Sequence, residues 1–217
     1  MSVFRPFRFI SKLEIEASAL DIWLLMERLG SAYTSGAQNP LQLPIDASII
    51  AEFLDLDLVW DTIPDDAQGA IAARILPLEK LIEINENIPE LKGGFGESTI
   101  AHEIGHWVLH IDVEQVERYI RLRQKGVNVQ VKPFLCRSNN LARIEWQAQY
   151  FAGCLLMPQH ILKELQQNKD LTKWQHLYQM AAELGVTISN LTTRLQDLGW
   201  IYLDADTRKI SLTRIDY

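Results

Sequence analysis

Thr99-Ile100-Ala101-His102-Glu103-Ile104-Gly105-His106-Trp107-Val108-Leu109-His110 is the stretch that decides how this chain is read. On a helix, residues four positions apart project from nearly the same face, so His102 and His106 can grip one metal ion. Glu103, between them, is then placed to take a proton from water activated at that metal. Neutral imidazole ligands with an open fourth position suit zinc, which lowers the pKa of water to about 7. The pattern points to metal-assisted hydrolysis, of a peptide bond before any other. The bland alternative is a solvated helix face, but a chance match is improbable in a chain with only 5 histidines.

Two histidines leave such a site incomplete, because catalytic zinc normally takes three protein ligands. Glu145 is the best candidate for the third. The small residues Ala148 and Ala152 beside it would let its helix pack closely on the metal helix. On spacing alone, a surface or salt-bridged carboxylate is an equal reading of Glu145. His110, one turn beyond His106, is read as a packed or capping histidine, with a place behind the metal or at a substrate oxyanion as the alternative. Tyr150 could also donate to an oxyanion, though a core-edge tyrosine is the commoner role. Leu109 and Asp112 stand where a third-histidine metal motif would need Gly and His.

Working outward, Glu14 to Leu29 has helical apolar spacing through Ile15, Ala19, Ile22, Leu25, Met26 and Leu29, with Gly30 as a natural stop. A polar connection from Ser31 to Asn39 follows, then a short helix over Ala47 to Leu54. Ala70 to Leu76 and Lys80 to Asn85 read as strands joined around Pro77-Leu78-Glu79. Gly93-Gly94-Phe95-Gly96 reads as a flexible loop, and Ser98 or Thr99 as the cap of the metal helix. Ile104, Val108 and Ile111 form that helix's core face. Gly105 costs roughly 1 kcal/mol relative to Ala in a helix interior, which predicts a close neighbour there. Val127 to Val131 alternates like a strand, and Asn139 to Met157 carries a helical stripe ended by Pro158.

The 217 residues suffice for one sizeable core, or a core with a small appended module. Hydrophobic residues at 47% and charged residues at 23% are ordinary for a soluble globular chain. A net charge of −7 argues against avid, non-specific nucleic-acid binding. Met1 to Lys12 lacks a continuous apolar stretch, and Ala17 to Met26 is interrupted by Asp21, so neither a leader nor a membrane span is expected. Cys136 and Cys154 form no spaced metal motif, and two reduced thiols in a cytoplasmic protein are expected.

Two blocks together give the chain a family likeness. One is Thr99 to His110; the other is Glu145-Trp146-Gln147-Ala148-Gln149-Tyr150-Phe151-Ala152-Gly153-Cys154-Leu155-Leu156-Met157-Pro158. In these the chain resembles the ImmA/IrrE family of zinc metallopeptidases, and the likeness runs from about Leu43 to about Gly199. Lys80 to Asn85 resembles the strand that precedes the metal helix in that family. Before the metal helix, this chain has Phe95 to Thr99 where many members carry Arg-Phe-Thr. The resemblance implies an α+β, compact zincin-like fold with a small mixed or antiparallel sheet. It implies one zinc ion on His102, His106 and Glu145, with Glu103 as general base. It further implies a helix-turn-helix transcriptional repressor as substrate, in stress regulons or mobile elements. On this reading the Lys80–Asn85 strand binds substrate backbone by strand addition.

The C-terminal segment offers a competing function. Trp174 to Leu184 and Ile188 to Leu198 read as helices joined at Gly185-Val186-Thr187, followed by a hairpin of Trp200 to Leu203 and Lys209 to Leu212. Helix, turn, helix and hairpin resemble a winged helix. Residues 1–165 are therefore expected to form the metallopeptidase domain, and 166–217 a winged-helix-like segment, either separate or packed into the same unit. The would-be recognition helix offers Arg194 as its one cation, a poor basis for phosphate contacts. A DNA-binding regulator, or a metal-bound one that titrates a repressor without cutting it, is the alternative function.

Overall fold

The computed structural model describes residues 2–33, 42–67, 69–88, 94–136 and 142–212. Among them are eight helices, a mixed four-stranded sheet and a two-stranded hairpin, an α+β fold. The chain divides into two compact units: Met1–Ser18 with Ala47–Ala152, and Ala19–Asp46 with Gly153–Tyr217. No helix among the described residues is long and apolar enough to cross a membrane.

In the first unit, the sheet comprises β1 (Asp57–Asp61), β2 (Ala73–Leu76), β3 (Leu81–Asn85) and β4 (Phe134–Cys136), in the order β1-β3-β2-β4. β2 and β3, both expected as strands, pair antiparallel, with Arg74 opposite Glu83 and the two side chains in an ion pair. β1 runs parallel to β3, pairing Asp57 with Leu81 through to Asp61 with Asn85. β3 is buried along almost its whole length, as a strand with a partner on each side should be. That position corrects the expectation that the Lys80–Asn85 strand receives substrate backbone, since neither of its edges is open. β4 lies at the sheet's edge, antiparallel to β2.

The expected Val127–Val131 strand does not form. Val129 is buried but Val127, which would share its face in a strand, is exposed, so the alternation in the sequence is not matched by burial. Extended residues need a partner edge, and β2 pairs instead with Phe134–Cys136.

α3 (Gly94–His110) carries the metal motif and begins earlier than expected, so Gly94, Phe95 and Gly96 are helical and Ser98 and Thr99 lie inside the helix. Gly93 lies outside the described residues. Glu97, in the first turn of α3, accepts from the backbone N–H of Ala47 at 2.7 Å, and Ala47 opens α2 (Ala47–Phe53). α3 is not two-faced. Ala101, Glu103, Ile104, Gly105, His106, Trp107 and Leu109 are all buried, which makes it the central helix of its unit. After it, Asp112 caps α4 (Val113–Gln124) by accepting from the Gln115 N–H.

α5 (Ala142–Leu156) crosses α3 at Gly105. A Cβ there would stand 3.0 Å from the Ala148 carbonyl oxygen, so the predicted close neighbour exists. The helix expected over residues 139–157 begins on residues outside the described set. α1 (Lys12–Tyr33) starts at a capping box: Ser11 N–H donates to Glu14 Oε2 at 2.8 Å, and the Glu14 N–H reaches back to Ser11 Oγ at 3.3 Å. It continues past Gly30, which therefore does not stop it.

In the second unit, α1 buries Ala19, Ile22, Trp23 and Met26 but leaves Leu25 and Leu29 exposed. Within that buried face, the Trp23 indole N–H donates to the Leu155 carbonyl at 3.0 Å. α6 (Gln159–Leu165) follows Pro158. α7 (Trp174–Leu184) and α8 (Ile188–Asp197) then form nearly as expected. Gly185 ends α7 at φ 66°, and a Cβ there would fall 2.5 Å from Pro44, so only glycine fits. Thr187 caps α8 by accepting from the Asn190 N–H. β5 (Tyr202–Leu203) and β6 (Ile210–Ser211) complete the unit as an antiparallel pair.

Candidate metal centre

α3 presents His102 and His106 on one face, and the close crossing at Gly105 brings α5 near enough for Glu145 to meet them. The His106 and His102 Nε2 atoms are 2.9 Å apart. Glu145 Oε2 lies 3.1 Å from His102 Nε2 and 3.5 Å from His106 Nε2. Two ring nitrogens and a carboxylate oxygen thus converge on one point. Ligands about 2.0–2.1 Å from a tetrahedral zinc lie roughly 3.3–3.4 Å from one another, and the three separations bracket that value. The donor set and its spacing fit a metal ion.

Burial grades across the cluster. The His106 side chain is fully buried, whereas those of His102 and Glu145 keep 12% and 22% exposure, so the cluster opens on their side. Burial opposes charge on Glu145, but the His102 and His106 rings beside it outweigh that and hold its carboxyl down at about 2. Burial pushes His106 down to about 4 despite that carboxylate. Burial also works against a charged His102, yet its bond to Glu145 and the charge of Glu103 leave its pKa raised. An ionised carboxylate and a neutral His106 at pH 7 are the states that metal ligation requires.

Glu103 is fully buried beside His102 in the chain. His110 is buried as well, with Nδ1 at 3.0 Å from His106 Nδ1 and Nε2 at 2.9 Å from Gln147 Oε1. The Tyr150 hydroxyl donates to Glu16 at 2.9 Å, and the Lys12 ammonium sits over its ring. Two contributors went unread in the sequence. Phe134 of β4 lies against the His106 ring with centroids 4.5 Å apart. Gln147 is buried on α5, three residues after Ile144 and four before Phe151. A polar residue at that position of the apolar stripe was the available signal.

A family model described as the IrrE N-terminal-like domain matches residues 67–196, more than half of the chain, and spans every member of the cluster. The chain belongs to the ImmA/IrrE family of metallopeptidases. No curated protein matches it. Membership makes the chain a metallopeptidase whose substrates are proteins, with His102, His106 and Glu145 able to bind a metal ion.

Proposed function

We propose that this ImmA/IrrE member is a zinc-dependent endopeptidase that cuts a helix-turn-helix transcriptional repressor and so regulates gene expression. The convergence of His102, His106 and Glu145 around one point, beside a buried Glu103, is the observation that carries the reading. Zinc held there would supply a Lewis acid that acidifies water and polarises the scissile carbonyl. Glu103 takes the proton of the attacking water and returns it to the leaving amine as the C–N bond breaks. His102, His106 and Glu145 are the ligands in this scheme.

An extended substrate segment pairs with the outer edge of β4, which carries Phe134 beside His106. The zincin-like character of residues 1–165, the winged-helix-like character of 166–217 and a cytoplasmic site of action belong to the same proposal. The repressor substrate is supported by the family resemblance alone.

The experiment is incubation of a repressor encoded beside this gene with wild type and with Glu103→Gln, each with and without zinc. Discrete fragments produced only by the zinc-loaded wild type are expected. Equal cleavage by Glu103→Gln, or no cleavage by the zinc-loaded wild type, overturns the proposal.

A further inference from the structure

His110 and Gln147 lie behind the ligand cluster, both buried, and their hydrogen bonds run in one line from a ligand to a backbone carbonyl. The far end fixes the direction. Gln147 Nε2 donates to the Arg8 carbonyl oxygen at 3.2 Å, and that oxygen can only accept. Turning the amide over would set two oxygens against each other, so Oε1 faces His110 as an acceptor.

Opposite that oxygen, 2.9 Å away, is His110 Nε2, which must therefore carry hydrogen. A neutral His110 then has a bare lone pair on Nδ1, and this faces His106 Nδ1 at 3.0 Å. His106 in turn holds its hydrogen on Nδ1, leaving the Nε2 lone pair directed at His102 Nε2 and Glu145 Oε2. With His110 neutral, each step leaves one choice.

We infer that His110 and Gln147 are positioning residues that lock His106 in the tautomer whose Nε2 lone pair faces the metal position. The inference rests on the proposed metal centre and adds to it. Neither residue is among the three whose donor atoms converge on the metal position. A ligating histidine normally gives its second N–H to a carboxylate or carbonyl, and here a second histidine takes that place. The anchor is the N-terminal segment, held to the end of α3 by hydrogen bonds from Arg5 N–H to His110 O and from Asp112 N–H to Val3 O, both 2.8 Å.

The test is zinc affinity of the full chain, measured by competition with a chelator, together with the ¹⁵N spectrum of the His106 ring in the zinc-free chain. His110→Phe and Gln147→Leu should each weaken zinc binding by roughly 10–100-fold. In wild type, His106 should carry its hydrogen on Nδ1, and Gln147→Leu should shift that ring toward a mixture. Unchanged zinc affinity in both variants overturns the relay. So does a wild-type His106 protonated on Nε2, a measurement that needs no variant to fold. A wild type that binds no zinc at all, yet shows the Nδ1 tautomer, overturns the metal centre instead and leaves the hydrogen-bond direction standing.

Discussion

Gly105 on α3 and Ala148 on α5 meet so closely that a Cβ at position 105 would lie 3.0 Å from the Ala148 carbonyl oxygen and 3.1 Å from its Cα. Both atoms are backbone and cannot rotate away. The contact fixes the separation of the two helices, and Glu145, one turn before Ala148, reaches His102 because of it. Gly105→Ala should therefore cost about 1–3 kcal/mol in packing strain, for a net loss of up to about 2 kcal/mol once the roughly 1 kcal/mol that alanine gains in helix propensity is set against it. The urea midpoint measures it, and a raised midpoint contradicts the packing argument.

Glu103→Gln should retain zinc and lose turnover by about 10²-fold or more, because the amide cannot accept the proton of water. Metal analysis and peptide hydrolysis on the same sample check both halves. Loss of zinc together with activity would make Glu103 a structural residue.

Glu14 gives a pH dependence with a defined sign. Bonds from Arg8 and Ser11 hold its carboxyl at about 2, below the ordinary 4.5. A lowered folded-state pKa contributes stability above 4.5 that is lost as pH falls toward 2. Glu14→Gln should be less stable than wild type at pH 7, and the gap should narrow through that acid window. Urea midpoints of the two proteins at several pH values check this. A gap that stays constant down to pH 2 contradicts it.

The ligand pair was legible because helical geometry alone makes positions 102 and 106 neighbours, and the glycine at 105 announced a close crossing. The β2–β3 hairpin and the α7–α8 pair were legible for similarly local reasons. β1 was not, since four of its five residues are exposed and only its parallel pairing with β3 makes it a strand. β4 is three residues long and defined by the edge of β2. Gln147 and Phe134 hid because their roles depend on what α3 and β2 bring to them.

Arg194 decides what α8 can do. It is the helix's one cation, it is 2% exposed, and its Nε donates to the Met157 carbonyl at 3.2 Å. α8 therefore offers no exposed cation to phosphate. The full chain should give no salt-sensitive gel shift with duplex DNA, and a shift that weakens steeply with salt would restore the DNA-binding alternative. Arg194→Ala should instead cost about 1.5–3 kcal/mol of stability.

Zinc titration of the wild type and Glu145→Ala, followed calorimetrically, bears most directly on the shared metal centre. One zinc per chain in wild type, with affinity falling at least about tenfold when Glu145 is removed, is the expected result. Equal affinity in the two proteins would contradict a centre built from His102, His106 and Glu145.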